Sequence, residues 1–189
     1  MVTPEPDPAV LDAVATILGR DGAGGLNLSA IAEEAGISRV TLHRRGLRIG
    51  PMIGAVVARA SADLREALWG PLTSTDPAAD RLGTALEVTC QVFEAHSGVL
   101  SALFHVPDGK TPTPTARRAG FDFIEPFERI LSDGQADGTL RCTDPRSDAE
   151  VVVNAVTWSY LHLRRALGWP EDAARTRTIE LAHRFFLHI

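Results

Sequence analysis

Residues 27–48 read NLSAIAEEAGISRVTLHRRGLR. Leu28, Ile31 and Ala35 recur at helical spacing, so the stretch opens with a short helix, about Leu28 to Ala35, that has one apolar face. Asn27 is of the type that caps a helix N-terminus. Gly36 stands where the chain has to turn sharply, which calls for left-handed backbone. Ser38 caps a following helix, and Ile37 and Leu42 have the spacing of a hydrophobic staple. Ala32 is small enough for two helices to cross closely. Together these offsets spell a helix–turn–helix. With Ile37 and Leu42 turned inward, Ser38, Arg39, Thr41, His43, Arg44 and Arg45 face outward. Arg48 follows just beyond the second helix.

That outward set has chemistry suited to duplex DNA. Arginine grips guanine or phosphate with paired hydrogen bonds. Hydroxyl and amide side chains bond phosphate oxygens. From Ser38 to Gly50 there are four arginines and no acid. A solvated, arginine-rich helix face is the plain alternative, and the Ala-x-x-x-Gly-Ile turn in front of the helix weighs against it.

Working outward, the rest of the chain is also helical. Val10, Leu11, Val14, Ile17 and Leu18 lie on one face of a first helix, with Pro8 in its first turn and the Gly22–Gly25 cluster ending it. Gly46 closes the third helix. Pro51 suits the start of a long fourth one, with Ile53, Val56, Val57, Ala60, Leu64 and Leu68 inward and a turn-rich stretch from Thr73 to Pro77 after it. Helical patterning resumes through Leu82, Leu86, Val88, Val92 and Phe93, and again over Val99–Phe104. Val106 to Thr115 reads as a loop. Phe121 to Leu131 is helical, with Pro126 placed to kink it, and Asp133 to Pro145 is polar and turn-rich. Two long helices finish the chain. The expectation is an all-α protein: a helix–turn–helix DNA-binding domain at 1–50 and a helical ligand-binding and dimerisation domain at 51–189.

The motif IAEEAGISRVTLHRR in an N-terminal three-helix unit, followed by about 140 helical residues, resembles a TetR-type transcriptional regulator. The Gly138-Thr139-Leu140-Arg141 turn before the last helix pair adds to the likeness. The resemblance implies a homodimer that represses transcription. One recognition helix per subunit would enter the major groove at each half of a palindromic operator. A small-molecule effector in the C-terminal domain would release the DNA. Carried over by position, Ser38 and Thr41 contact phosphate, and Arg39 reaches base edges or phosphate. His43 takes the place of a backbone-contacting tyrosine, and Asn27 that of a threonine capping the second helix near phosphate. Two positions depart from the family pattern. Gly46 replaces an aromatic of the small core, and Ile49 replaces a phosphate-binding lysine, a role that Arg48 is positioned to take. These departures keep open an alternative, a helical small-molecule or protein-binding module that has the fold without operator binding.

The effector site is faint in the sequence. Trp69, Phe93, His96, Phe104, Phe121, Trp158 and His162 are candidates to line a mostly aliphatic pocket for a small lipophilic molecule, although ordinary core is the competing reading for each. The last two helices carry Val152, Val156, Tyr160 and Leu163, then Ile179, Ala182 and Phe186. This broad apolar pairing suits a four-helix dimer interface about a two-fold axis.

Composition excludes other classes. Of 189 residues 44% are hydrophobic and 23% charged, as in soluble globular proteins and unlike disordered or collagenous chains. Cys90 and Cys142 are widely spaced and suggest two apolar thiols rather than a disulfide or metal framework. The acidic, Pro-rich start is not a signal peptide, and no run reaches about 18 apolar residues. A cytoplasmic protein with no membrane partner is expected. Gly109-Lys110-Thr111 lacks the glycine five residues before it and any preceding strand, so no P-loop is read there. Glu180-x-x-His183 has no second copy to complete a di-metal site. No enzyme, cofactor or metal is expected.

The net charge of −5 misleads about partners. Residues 1–70 hold seven arginines against eight acids, yet Ser38–Gly50 alone carries +4. The positive charge is concentrated where a helix would meet DNA.

Overall fold

The computed structural model describes residues 7–104 and 123–186. Among them the chain is all-α, with nine helices and one 3-10 turn. In order these are α1 (Pro8–Asp21), the 3-10 turn (Ala23–Gly25), α2 (Leu28–Glu34), α3 (Arg39–Arg44), α4 (Ile49–Thr73) and α5 (Ala78–Ala95). There follow α6 (Ser97–Phe104), α7 (Glu125–Asp137), α8 (Pro145–Arg165) and α9 (Glu171–Phe186). By internal contacts the described residues form two compact units, 7–62 with 96–104, and 63–95 with 123–186. The division runs within α4, whereas the boundary expected at residue 50 coincides with the start of that helix.

The first unit is built on α1. Asp7 caps it, its Oδ1 accepting the Ala9 N–H at 3.1 Å, and Gly22 at φ +67° ends it. The inner face of α1 (Val10, Val14, Ile17, Leu18) packs with Ile31 of α2, Leu42 of α3, Met52 and Val56 of α4, and Val99 of α6. Burying a side chain of this size contributes roughly 1.5–3 kcal/mol. Gly98 of α6 meets Gly19 of α1 at a close crossing: a Cβ on Gly98 would lie 2.4 Å from the Gly19 Cα.

The second unit has its core on α5, α7, α8 and α9. Leu82, Leu86, Phe127, Ile130, Leu131, Tyr160 and Phe186 are almost fully buried there, with Leu68 from the end of α4. Three boundaries differ from expectation. First, α4 starts at Ile49, two residues before Pro51, because a proline in the first turn gives up no intrahelical hydrogen bond. Second, α4 runs on through Gly70 and Pro71, where the Thr73 hydroxyl donates to the Trp69 carbonyl at 2.8 Å. Third, Pro126 opens α7 instead of kinking it, and that helix continues to Asp137. Its polar last turns face solvent while Gly134 leaves room for Leu140: a Cβ there would lie 2.5 Å from Leu140 Cδ1. The loop expected over 106–115 lies outside the described residues.

One polar cluster ties α5 to α8. The Tyr160 hydroxyl donates to Glu94 Oε2 at 2.8 Å, and Arg164 grips the same carboxylate through Nε at 2.9 Å and through Nη2. Arg164, then the Tyr160 hydrogen bond, holds the Glu94 carboxyl below its usual range, against the opposing pull of burial. Burial first, and then Glu94, raises the Tyr160 phenol.

Candidate nucleic-acid interface

The two short helices of the motif owe their ends to local chemistry. Asn27 Oδ1 accepts the N–H groups of Ser29 and Ala30 at 3.1 and 3.0 Å, which caps α2. The helix ends at Gly36, φ +65°, where the Gly36 N–H donates to Glu33 O (3.1 Å) and the Ile37 N–H to Ala32 O (2.9 Å). That pair of bonds defines a Schellman motif. The same closure recurs one helix later. At Gly46, φ +66°, the Gly46 N–H donates to His43 O (2.9 Å) and the Leu47 N–H to Leu42 O (3.2 Å). Between the two turns, Ser38 caps α3 by accepting the Thr41 N–H at 3.1 Å, and the two hydroxyls are 2.8 Å apart.

The second Schellman turn accounts for one departure from the family pattern. Where the pattern has an aromatic, the chain has a left-handed glycine. The apolar contact is supplied one residue later, by Leu47, which is buried in the first unit's core. Ile49 is half-buried against the same core and so is a packing residue.

Leu42 is fully buried and fixes the rotation of α3. Arg39, Val40, His43, Arg44 and, beyond the helix, Arg48 are exposed; Thr41 is half-buried. Arg39, Arg44 and Arg48 form no ion pair among the described residues. Arg45 differs: its guanidinium is 3.7 Å from the Asp7 carboxylate at the start of α1. Asn27 spends its carbonyl on the cap, and its amide donates to Gly25 O at 3.3 Å. Of the two hydroxyl protons on Ser38 and Thr41, one is used between them and one remains for an outside acceptor. Most of the outward set is exposed, and Val40, a residue outside the expected set, is 74% exposed among it.

The residues expected to line an effector pocket differ in burial. Trp69 is 68% exposed, Trp158 40% exposed, and His162 lies on the surface. Phe93 packs against the second unit's core, while His96 belongs to the first unit. The Phe104 side chain and Phe121 lie outside the described residues.

The expected dimer set is mostly packed within the subunit. Val152, Val156, Tyr160, Ala182 and Phe186 are buried within the chain's own second core, with Leu163 and Ile179 packed against it. The physical reason is that α8 and α9 each carry two apolar stripes, and the more regular one is taken up internally. The other stripe leaves Val151 (59%), Leu181 (62%) and Phe185 (64%) exposed. They flank an apolar groove between α8 and α9, floored by Val152, Ala155, Val156 and Ala182.

Both cysteine thiols are raised above their ordinary value. Cys90 is buried, which pushes its thiol up to about 12. Cys142 is only half-buried and bonds to Asp148 Oδ2 at 3.2 Å; burial and that bond push it up to about 12. Glu180 pairs with Arg177, and among the described residues no group of three or more His, Cys, Asp or Glu side chains is placed to hold a metal. No helix among them is long and apolar enough to cross a membrane.

This is an all-α chain with an N-terminal helix–turn–helix unit, and its fold is that of the TetR-family transcriptional regulators. A TetR-family transcriptional regulator from Thermus thermophilus, PfmR, superposes with a TM-score of 0.74 at 19% identity, covering 95% of this chain and 98% of that one. A Clostridium perfringens protein proposed as a fatty acid metabolism regulator gives 0.78 at 15% identity, covering 96% and 100%. AibR, in complex with isovaleryl coenzyme A and operator DNA, gives 0.70 at 14% identity, covering 92% and 95%. No family model and no curated protein sequence matches the chain.

Proposed function

We propose that the protein is a ligand-responsive transcriptional regulator. It acts as a repressor that binds a palindromic operator as a homodimer and is released by a small lipophilic effector. One observation carries the reading: α3, capped at Ser38 and closed at Gly46, buries Leu42 while exposing Arg39 and Arg44, and Arg48 is exposed just beyond it. In a helix–turn–helix the second helix enters the major groove and phosphate contacts fix its register. Arg39, His43 and Arg44 reach base edges or phosphate. Arg48, with Ser38 and Thr41, holds the backbone, and Asn27 orients α2 beside it.

The dimer is made by the exposed stripe of α8 and α9, Val151, Leu181 and Phe185, two copies of which form a four-helix bundle. A contiguous apolar face of this kind on a polar chain is a mark of an interface. Response to a bound small molecule draws support from AibR, solved with isovaleryl coenzyme A and operator DNA.

The test is binding of the full chain to palindromic fragments from the DNA upstream of its own coding region. Retention in low salt, abolished by Arg39→Ala with Arg44→Ala, supports the proposal. A folded dimer that retains no such fragment in the absence of effector rejects it in favour of a binding module without an operator.

A further inference from the structure

The rotation of α3 singles out one residue beyond the arginines. At about 100° per residue, Val40 and Arg44 each lie about 160° from Leu42, on either side of the direction opposite the core. Arg39 lies only about 60° from Leu42 on the same scale, on the flank. The centre of the outward face therefore pairs one arginine with one aliphatic side chain, and that side chain is the most exposed large hydrophobic of the described residues.

Single exposed valines are ordinary on protein surfaces. Two features set this one apart. Its neighbours on α3 are arginine, threonine and histidine, so it belongs to no apolar patch that another protein would cover. Valine is also a poor helix former, and in a helix only six residues long it contributes nothing inward. An apolar group at the centre of a groove-entering face meets one apolar partner on a base edge, the 5-methyl group of thymine.

Resting on the proposed operator binding, we infer that Val40 is a specificity-determining residue that selects a thymine in each half-site through its 5-methyl group. Arg44, one turn further on, contacts the neighbouring base or phosphate. The recognised substrate class is accordingly a palindromic duplex with a thymine at a fixed position in both halves.

The experiment selects the preferred duplex from random sequences with the full-length chain. Each thymine of the selected half-site is then replaced singly by deoxyuridine, which removes only the methyl group. At one position binding should weaken by about fourfold per half-site, the value of one buried methyl-sized group. The penalty should vanish in Val40→Ala and persist in Val40→Thr, which keeps a methyl in place. Val40 is exposed, so neither substitution threatens the fold. Indifference of the wild type to deoxyuridine at every position, or an unchanged penalty in Val40→Ala, overturns the inference while leaving operator binding intact. A chain that enriches no duplex overturns both.

Discussion

The Leu47 N–H donates to the Leu42 carbonyl at 3.2 Å across Gly46, which holds φ at +66°. This hydrogen bond closes α3 and brings Leu47 into the core from which an aromatic of the family pattern is missing. A Cβ at Gly46 would meet nothing within 4 Å, so the cost of a side chain there is purely conformational. Gly46→Ala should lower stability by about 1–2 kcal/mol, the penalty for left-handed backbone in an L-residue. Leu47→Ala should cost more, about 2–4 kcal/mol, because it empties a buried site. Gly50→Ala, in helical α4 with open space around it, should be neutral or slightly stabilising. Urea midpoints of the three variants order the effects. A Gly46→Ala protein as stable as the wild type would contradict the Schellman closure.

At the crossing of α1 and α6 the constraint is space rather than dihedral angle. A Cβ on Gly98 would fall 2.4 Å from Gly19 Cα and 2.9 Å from Gly19 N, both backbone atoms that cannot swing aside. Gly98→Ala should therefore destabilise by about 1–3 kcal/mol, the overpacking penalty outweighing the helix propensity gained. Gly70→Ala, in α4 with nothing within 4 Å, supplies the contrast. Thermal unfolding in which both alanine variants match the wild type would show that the helices separate freely there.

Capping and closure were legible in the sequence because they are settled within four or five residues. Asn27, Gly36, Ser38 and the Ile37–Leu42 spacing each imply their partners directly. Gly46 reads both as the end of the third helix and as a missing aromatic, but the pattern names what a position lacks and not what Leu47 supplies. The use of α8 and α9 was not legible for a different reason. Val151, Val152 and Val153 are consecutive, so periodicity defines two apolar faces without telling which one finds its partner inside the chain. Val40 is a different case: Leu42 turned inward places it outward by helical spacing, but an aliphatic side chain carries no polar signal that singles it out.

The Glu94–Arg164–Tyr160 cluster predicts an acid-sensitive contribution to stability. Because Glu94 has a depressed carboxyl pKa when folded, its contribution is fully present above the unfolded value of about 4.3 and is lost as pH falls through the lower folded one. Glu94→Gln should cost about 1–3 kcal/mol at pH 7, the range for hydrogen bonds to a charged group. The gap from wild type should close as pH drops below about 4. Denaturation at a series of pH values reads this directly, and a gap that stays constant into acid would rule out the ionic role of Glu94.

The exposed stripe and the buried stripe of α9 should respond differently to substitution. Leu181→Arg places a charge at a site 62% exposed, so the subunit should keep its fold and helix content while losing self-association. Phe186→Ala, 1% exposed, should instead destabilise the subunit by about 3–5 kcal/mol. Light scattering with circular dichroism separates the two. A Leu181→Arg protein that remains dimeric would remove this face from the interface.

Salt dependence distinguishes the arginines that meet phosphate from the one engaged within the chain. Each phosphate contact contributes about 0.9 to the slope of log affinity against log salt. Arg48 has no acidic partner among the described residues, so Arg48→Ala in a dimer should lower that slope by about two, one contact being lost per subunit. Arg45 is 3.7 Å from Asp7, and its field at the DNA is partly cancelled. Arg45→Ala should change the slope less, and Asp7→Asn should raise affinity at low salt by freeing Arg45 for phosphate. Asp7 also caps α1, but asparagine is an equally good cap, so the substitution leaves the helix start intact. Fluorescence anisotropy with the selected duplex from 50 to about 200 mM salt gives all three slopes. If Arg48→Ala matches the wild type across that range, the backbone contact expected of a lysine at position 49 is made by another residue.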